Sequence, residues 1–146
     1  MEELVDYLAD IVEPTLAEFE LHPGSRRHGF LACVATFHAV DYLAYPRKSA
    51  GLRQKWRRES RDFAIVDEVA HAFKHVVTPS VGNPRLKAAD VRWGPPAQWG
   101  SAAWGYSRWS GPDGGVEVEG VDEDLLNVVR RAVAFLQSLP VTGTPK

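Results

Sequence analysis

Apolar side chains recur over the first twenty residues at Leu4, Leu8, Ile11, Val12, Leu16 and Phe19, a spacing near 3.6 that predicts an amphipathic helix over 2–21. Pro14 interrupts the pattern. It has no N–H to donate and its ring crowds the preceding turn, so a kink or a division near Val12 is expected. After His22-Pro23-Gly24, Ser25 stands where an N-cap would open a second helix over 25–44, which must stop before Pro46. A short helix around 52–58 and a third long one over 60–77 follow, the latter ending at Thr78-Pro79.

From residue 79 to residue 115 the chain is rich in proline and glycine and holds four of its five tryptophans, which disfavours helix. Ala103 to Trp109 and Val116 to Glu119 flank a Gly-rich loop, Ser110 to Gly115, and predict an antiparallel β-hairpin over 103–119. Val121 and Leu126 bracket Asp122 as a hydrophobic staple brackets an N-cap, and Leu125, Val129, Ala132, Leu136 and Leu139 then line one face of a last helix over 122–139. The predicted class is α+β, mainly α: one four-helix-bundle-like domain over 1–139, a small antiparallel β-hairpin inserted before the last helix, and a frayed tail at 140–146.

Composition narrows the function classes. Seventeen Lys+Arg against 19 Asp+Glu give a net charge of -2, so any nucleic-acid site must be a local patch. The single cysteine, Cys33, sits among Leu31, Ala32 and Val34 and reads as a small buried hydrophobe with no base spaced to activate it. The start Met1-Glu2-Glu3 is acidic, and no apolar run approaches the ~18 residues a membrane span needs, so a cytoplasmic protein without a membrane partner is expected.

Candidate chemistry gathers on the second and third long helices. At roughly 100° per residue, Phe30, Val34, Phe37 and Asp41 fall on one stripe beside His38, which predicts a buried Asp41 in need of a partner. The His38–Asp41 spacing permits a direct hydrogen bond or a shared partner. On the third helix Asp67, Glu68, His71 and His75 share a face opposite Ile65, Val66, Val69, Phe73 and Val76. That face is either solvated or, given the flanking Ala64, Ala70 and Ala72, covered by the second helix or by a second subunit, in which case His38, Asp41, His71 and His75 converge.

Glu68-x-x-His71 and His71-x-x-x-His75 have spacings by which a helix grips a metal, so Glu68, His71 and His75 are the candidate ligands for a divalent transition metal, although the leading expectation includes no cofactor. The segment from Arg47 to Arg61 carries seven cations and one acid, Glu59. Within it Arg53, Lys55, Trp56, Arg57 and Arg58 form a candidate RNA-binding patch, Trp56 supplying a stacking surface. Alternatively these cations face the acidic first helix, which has seven acids and no base through residue 20.

The stretch His71-Ala72-Phe73-Lys74-His75, next to the apolar helix Phe37-His38-Ala39-Val40-Asp41-Tyr42-Leu43, resembles the way compact four-helix HEPN-like domains present a polar residue, two spacers, a basic residue and a histidine. The resemblance spans roughly 26–77, and the family's arginine four to six residues before a histidine has no counterpart, Arg61 standing nine intervening residues before His71. It implies a helical homodimer that binds or cleaves RNA without metal, with His71, His75 and Lys74 as the working group and His38 and Asp41 as its support. In that role an imidazole moves a proton to or from ribose and phosphate oxygens while Lys74 offsets charge on the phosphorane. The other readings are a non-catalytic interaction module forming a homodimer and a metal-binding helical-bundle enzyme.

Overall fold

The computed structural model describes residues 2–75, 86–94 and 114–140. Its elements are α1 (Glu2–Tyr7), a π-helical turn (Leu8–Val12), α2 (Glu13–Leu21), α3 (Arg26–Ala44), α4 (Ala50–Glu59), α5 (Arg61–His75), a 3₁₀ turn (Ala88–Asp90), β1 (Val91–Gly94), β2 (Gly115–Val118) and α6 (Leu125–Ser138). The fold is mostly helical with a small two-stranded antiparallel sheet, as the patterning predicts.

As expected for Pro14, the first helical stretch is divided near Val12. Pro14 sits in the first turn of α2, just after the π-helical turn, where Glu13 N–H reaches back to the Leu8 carbonyl. The wider turn shifts the hydrogen-bond register ahead of the residue that cannot donate. The Thr15 hydroxyl donates to the Ile11 carbonyl at 2.5 Å. Ser25 caps α3 as expected, accepting from the His28 backbone N–H at 3.3 Å, and Ser60 likewise accepts from Phe63 N–H at the start of α5. The N-cap of α6 is Asp124 rather than Asp122, two residues later than the staple pattern implies, while Val121 is still buried.

α3 and α5 pack together, α6 closes against both, and α1 and α2 lie along α3. α3 buries its small residues, Gly29, Ala32, Cys33, Ala35, Thr36, Ala39 and Val40, rather than the stripe of Phe30, Val34, Phe37 and Asp41. A helix contacted from several sides buries the side chains that let its neighbours approach, and the larger ones are left at its margins. Gly29 makes this explicit, since a Cβ there would lie 3.1 Å from Phe19 Cζ and 3.2 Å from Leu125 Cδ2. Cys33 is fully buried, and burial pushes its thiol pKa up.

β1 and β2 pair with Val91 opposite Val118 and Trp93 opposite Val116. The expected first hairpin strand, 103–109, lies outside the described residues, as does most of the 140–146 tail; the described partner of β2 is a segment that patterning left in turn-rich chain. Val91, Val116 and Val118 enter the core, and Arg26 of α3 ties the sheet to the bundle through hydrogen bonds to the Val91 and Ala88 carbonyls at 2.7 and 2.5 Å. At Gly114, φ is +76 and a Cβ would meet the Gly94 carbonyl oxygen at 2.5 Å, so only glycine fits this approach.

Trp56 corrects the expectation of a stacking surface. At 1% exposure it is one of the largest core side chains, edge-on to Phe63 and Phe135. Trp56→Ala should therefore cost about 3–5 kcal/mol in a urea titration, whereas an exposed stacking residue would leave the midpoint nearly unchanged.

Candidate functional site at the junction of α3, α4 and α5

The carboxylate that is buried is Asp67, not Asp41. Asp67 lies on α5 with no exposed side-chain surface. Its Oδ2 accepts from Arg53 Nε at 3.0 Å and from Arg57 Nη1; its Oδ1 stands 2.9 Å from Arg53 Nη2 and 2.9 Å from His71 Nδ1. The polar face of α5 is thus covered by α4, an element that sequence reasoning assigned to RNA or to the acidic first helix. That helix instead directs Glu20 to Arg130 and Glu13 to Gln137, both on α6.

Arg57 also reaches Glu68 at 2.9 Å. Burial alone pulls the Arg57 guanidinium pKa down, but the hydrogen bonds and charges of Asp67 and then Glu68 outweigh it, and the net shift is upward. Of the other expected phosphate contacts, Lys55 pairs loosely with Glu59 at 3.8 Å and Arg58 is exposed.

His71 Nδ1 hydrogen-bonds to the Asp67 main-chain carbonyl at 2.8 Å and stands 2.9 Å from Asp67 Oδ1, a charge contact without hydrogen-bond geometry. A main-chain carbonyl can only accept, so Nδ1 carries a proton and, in the neutral ring, the lone pair is on Nε2, the tautomer a general base requires. The His71 ring meets Phe37 of α3 edge-on at 4.9 Å between centroids and lies 6.0 Å from the ring of His75. Lys74 and His75 are exposed at the end of α5.

Asp41 is about half exposed and hydrogen-bonds directly to His38 Nδ1 at 3.0 Å, one of the two arrangements the spacing permits. Partial burial pushes its pKa up, but hydrogen bonds from Ser49 and His38 and the charges of His38 and Arg53 outweigh this and lower it below the usual 3.8. The His38 and His71 rings both contact Phe37, and Arg53 lies over that ring at 5.4 Å. The two predicted pairs therefore border one surface, joined through Phe37 and Arg53 rather than through a shared ligand. Among the described residues no three His, Cys, Asp or Glu side chains are grouped to hold a metal, and Glu68 is turned toward Arg57.

Arg53 and Arg57 are the participants whose role as partners of Asp67 sequence reasoning missed. The available signal was Asp67 itself, since two arginines four residues apart on a neighbouring amphipathic helix can close on one acid. Comparison with protein-family models, curated proteins and solved structures gives no match for this chain.

Removing one partner of a buried pair leaves charge without compensation, so Asp67→Ala should cost about 3–5 kcal/mol in equilibrium denaturation. Asp41→Ala should shift the midpoint by no more than about 1 kcal/mol, because its ion pair is solvated. The small Asp41 contribution should also follow the sign of its shift: a lowered folded pKa means stability present above the unfolded value and lost as pH falls through the folded one. A difference between wild type and Asp41→Ala that grows on acidification would contradict this.

Proposed function

We propose that the α3–α4–α5 face binds single-stranded RNA and cleaves it by proton transfer from histidine. The observation that carries this reading is the Asp67–His71 contact, which leaves Nε2 as the basic nitrogen, beside arginines at 53 and 57. The HEPN-like resemblance lacks an arginine at the family's sequence spacing, and the cations of α4 offer a replacement from another helix. His71 Nε2 takes the 2′-hydroxyl proton, the 2′-oxygen attacks phosphorus, and His75 protonates the departing 5′-oxygen, giving a 2′,3′-cyclic phosphate and a free 5′-hydroxyl. Lys74 and the remaining guanidinium N–H groups offset charge on the phosphorane. His38, held by Asp41, borders the same surface and supports substrate positioning.

A second reading has its own support. Asp67 is closed on by two arginines of one neighbouring helix, as a network that merely docks one helix on another would be, and a non-catalytic module acting as a homodimer needs nothing more. Mixed-sequence single-stranded RNA at low salt separates the two. Cleavage should persist in EDTA, disappear in His71→Ala with binding nearly intact, and weaken in His75→Ala. Binding should fall with salt at a log–log slope of roughly -0.7 per phosphate contact, and reversing the charge of Arg58 should flatten it. Absence of both retention and cleavage at micromolar protein, with a dimer in sedimentation equilibrium, would give the second reading first place.

A further inference from the structure

α1 and the C-terminal end of α3 border an open cleft of about 410 Å³, of whose lining the RNA reading uses only Asp41, as the residue that holds His38. Among the described residues it is lined by Tyr42, Tyr45, Glu3 and Asp41. These described residues combine two aromatic rings with two carboxylates. Tyr42 is stacked on Tyr7 at 4.0 Å, and the Tyr7 hydroxyl donates to the Ala35 carbonyl at 2.8 Å, so the Tyr42 ring is held in place while the residue remains 43% exposed. Tyr45, the residue after α3, is 75% exposed and leaves its ring open to solvent.

Three negative contributions meet at this cleft, set against the positive charges of His38 and Arg53 that act on Asp41. The faces of the tyrosine rings are negative. Asp41 stays ionised through its contacts with His38 and Ser49, and Glu3 adds a second carboxylate from α1. The last turn of α3 ends at Ala44, and the carbonyl end of a helix carries partial negative charge. Burial and then the nearby Tyr42 and Asp41 raise the Tyr7 phenol to about 12, in keeping with a negative environment.

We infer that this cleft binds an organic ammonium ion, its apolar substituents against Tyr42 and Tyr45 and its charge between the rings, Glu3 and Asp41. An aromatic wall attracts a cation through the ring quadrupole, and alkyl groups around the nitrogen lower the cost of leaving water. An anion would meet two carboxylates, and a neutral apolar molecule would gain nothing from them. The site is separate from the histidine chemistry of α5 and stands without it.

Calorimetric titration of the full chain with choline chloride tests the inference, with 3,3-dimethylbutan-1-ol as the uncharged shape match and Nα-acetyl-lysine methylamide as the mimic of a protein side chain. Choline or the lysine derivative should bind in the millimolar range, and the neutral match about fivefold more weakly or worse. The tighter of the two cations tells a free ammonium compound from a lysine of another protein. Tyr45→Leu, which keeps apolar area but removes the π-face, and Glu3→Gln should each weaken binding severalfold while circular dichroism stays unchanged. Equal affinity for choline and its neutral match, insensitivity to both substitutions, or no heat from either cation at millimolar concentration would overturn the inference.

Discussion

A carboxylate removed from water and held by two arginines organises this molecule. An ionised Asp67 on the face of α5 is tolerable only with charge and hydrogen bonds supplied from outside its own helix, and α4 supplies them at Arg53 and Arg57. Those contacts set how α4 lies on α5. Once α4 is so placed, Trp56, adjacent to both arginines on the helix surface, enters the core against Phe63 of α5 and Phe135 of α6. Polar closure on Asp67 and aromatic packing on Phe63 both join α4 to α5, so the two belong to one docking geometry.

The rest of the bundle accommodates that arrangement through small residues and local exceptions. α3 presents Gly29, Ala32, Cys33 and Ala39 to its neighbours, which brings α2 and α6 close, while Phe30 and Phe37 are left at the margin facing α5. The π-helical turn before Pro14 lets the chain stay helical past a residue that ordinarily ends a helix. Arg26 performs for the small sheet what Arg53 and Arg57 do for α4: a guanidinium reaches across the chain to the Val91 and Ala88 carbonyls, its charge resting over Phe73. In each case a cation on one helix compensates polar groups on another element.

The candidate site inherits its chemistry from this scaffold. His71 is oriented because Asp67 is fixed, and Asp67 is fixed because α4 closes on it. Such coupling means that a catalytic and a purely structural account predict many of the same losses on substitution. What distinguishes them is behaviour at His71 Nε2 and at His75, which take no part in holding α4. The tyrosine cleft lies at the other end of the same α3 surface, reached through Asp41, so the molecule presents cation-rich and anion-rich features side by side along one helix.

Periodicity and turn chemistry alone determined the helical elements, the Ser25 cap, the buried Cys33, the apolar stripe of α6 and the predominance of helix over sheet, because these depend on interactions within about one turn of chain. They also placed His38 and Asp41 within hydrogen-bonding reach. Which acid would be buried was not legible: Asp41 shares a stripe with Phe30 and Phe37, but the face of a helix that is covered depends on what packs against it, and α3 turned out to bury its small side. The basic run around Trp56 was equally ambiguous, since charge pattern gives the sign of a partner and not its identity. Only the tertiary structure decided that this partner is Asp67 on α5, that the tryptophan is core, and that Tyr42 and Tyr45 open a cleft beside two carboxylates. Each of these joins elements distant in the chain, and local sequence carries no term for the desolvation that selects among them.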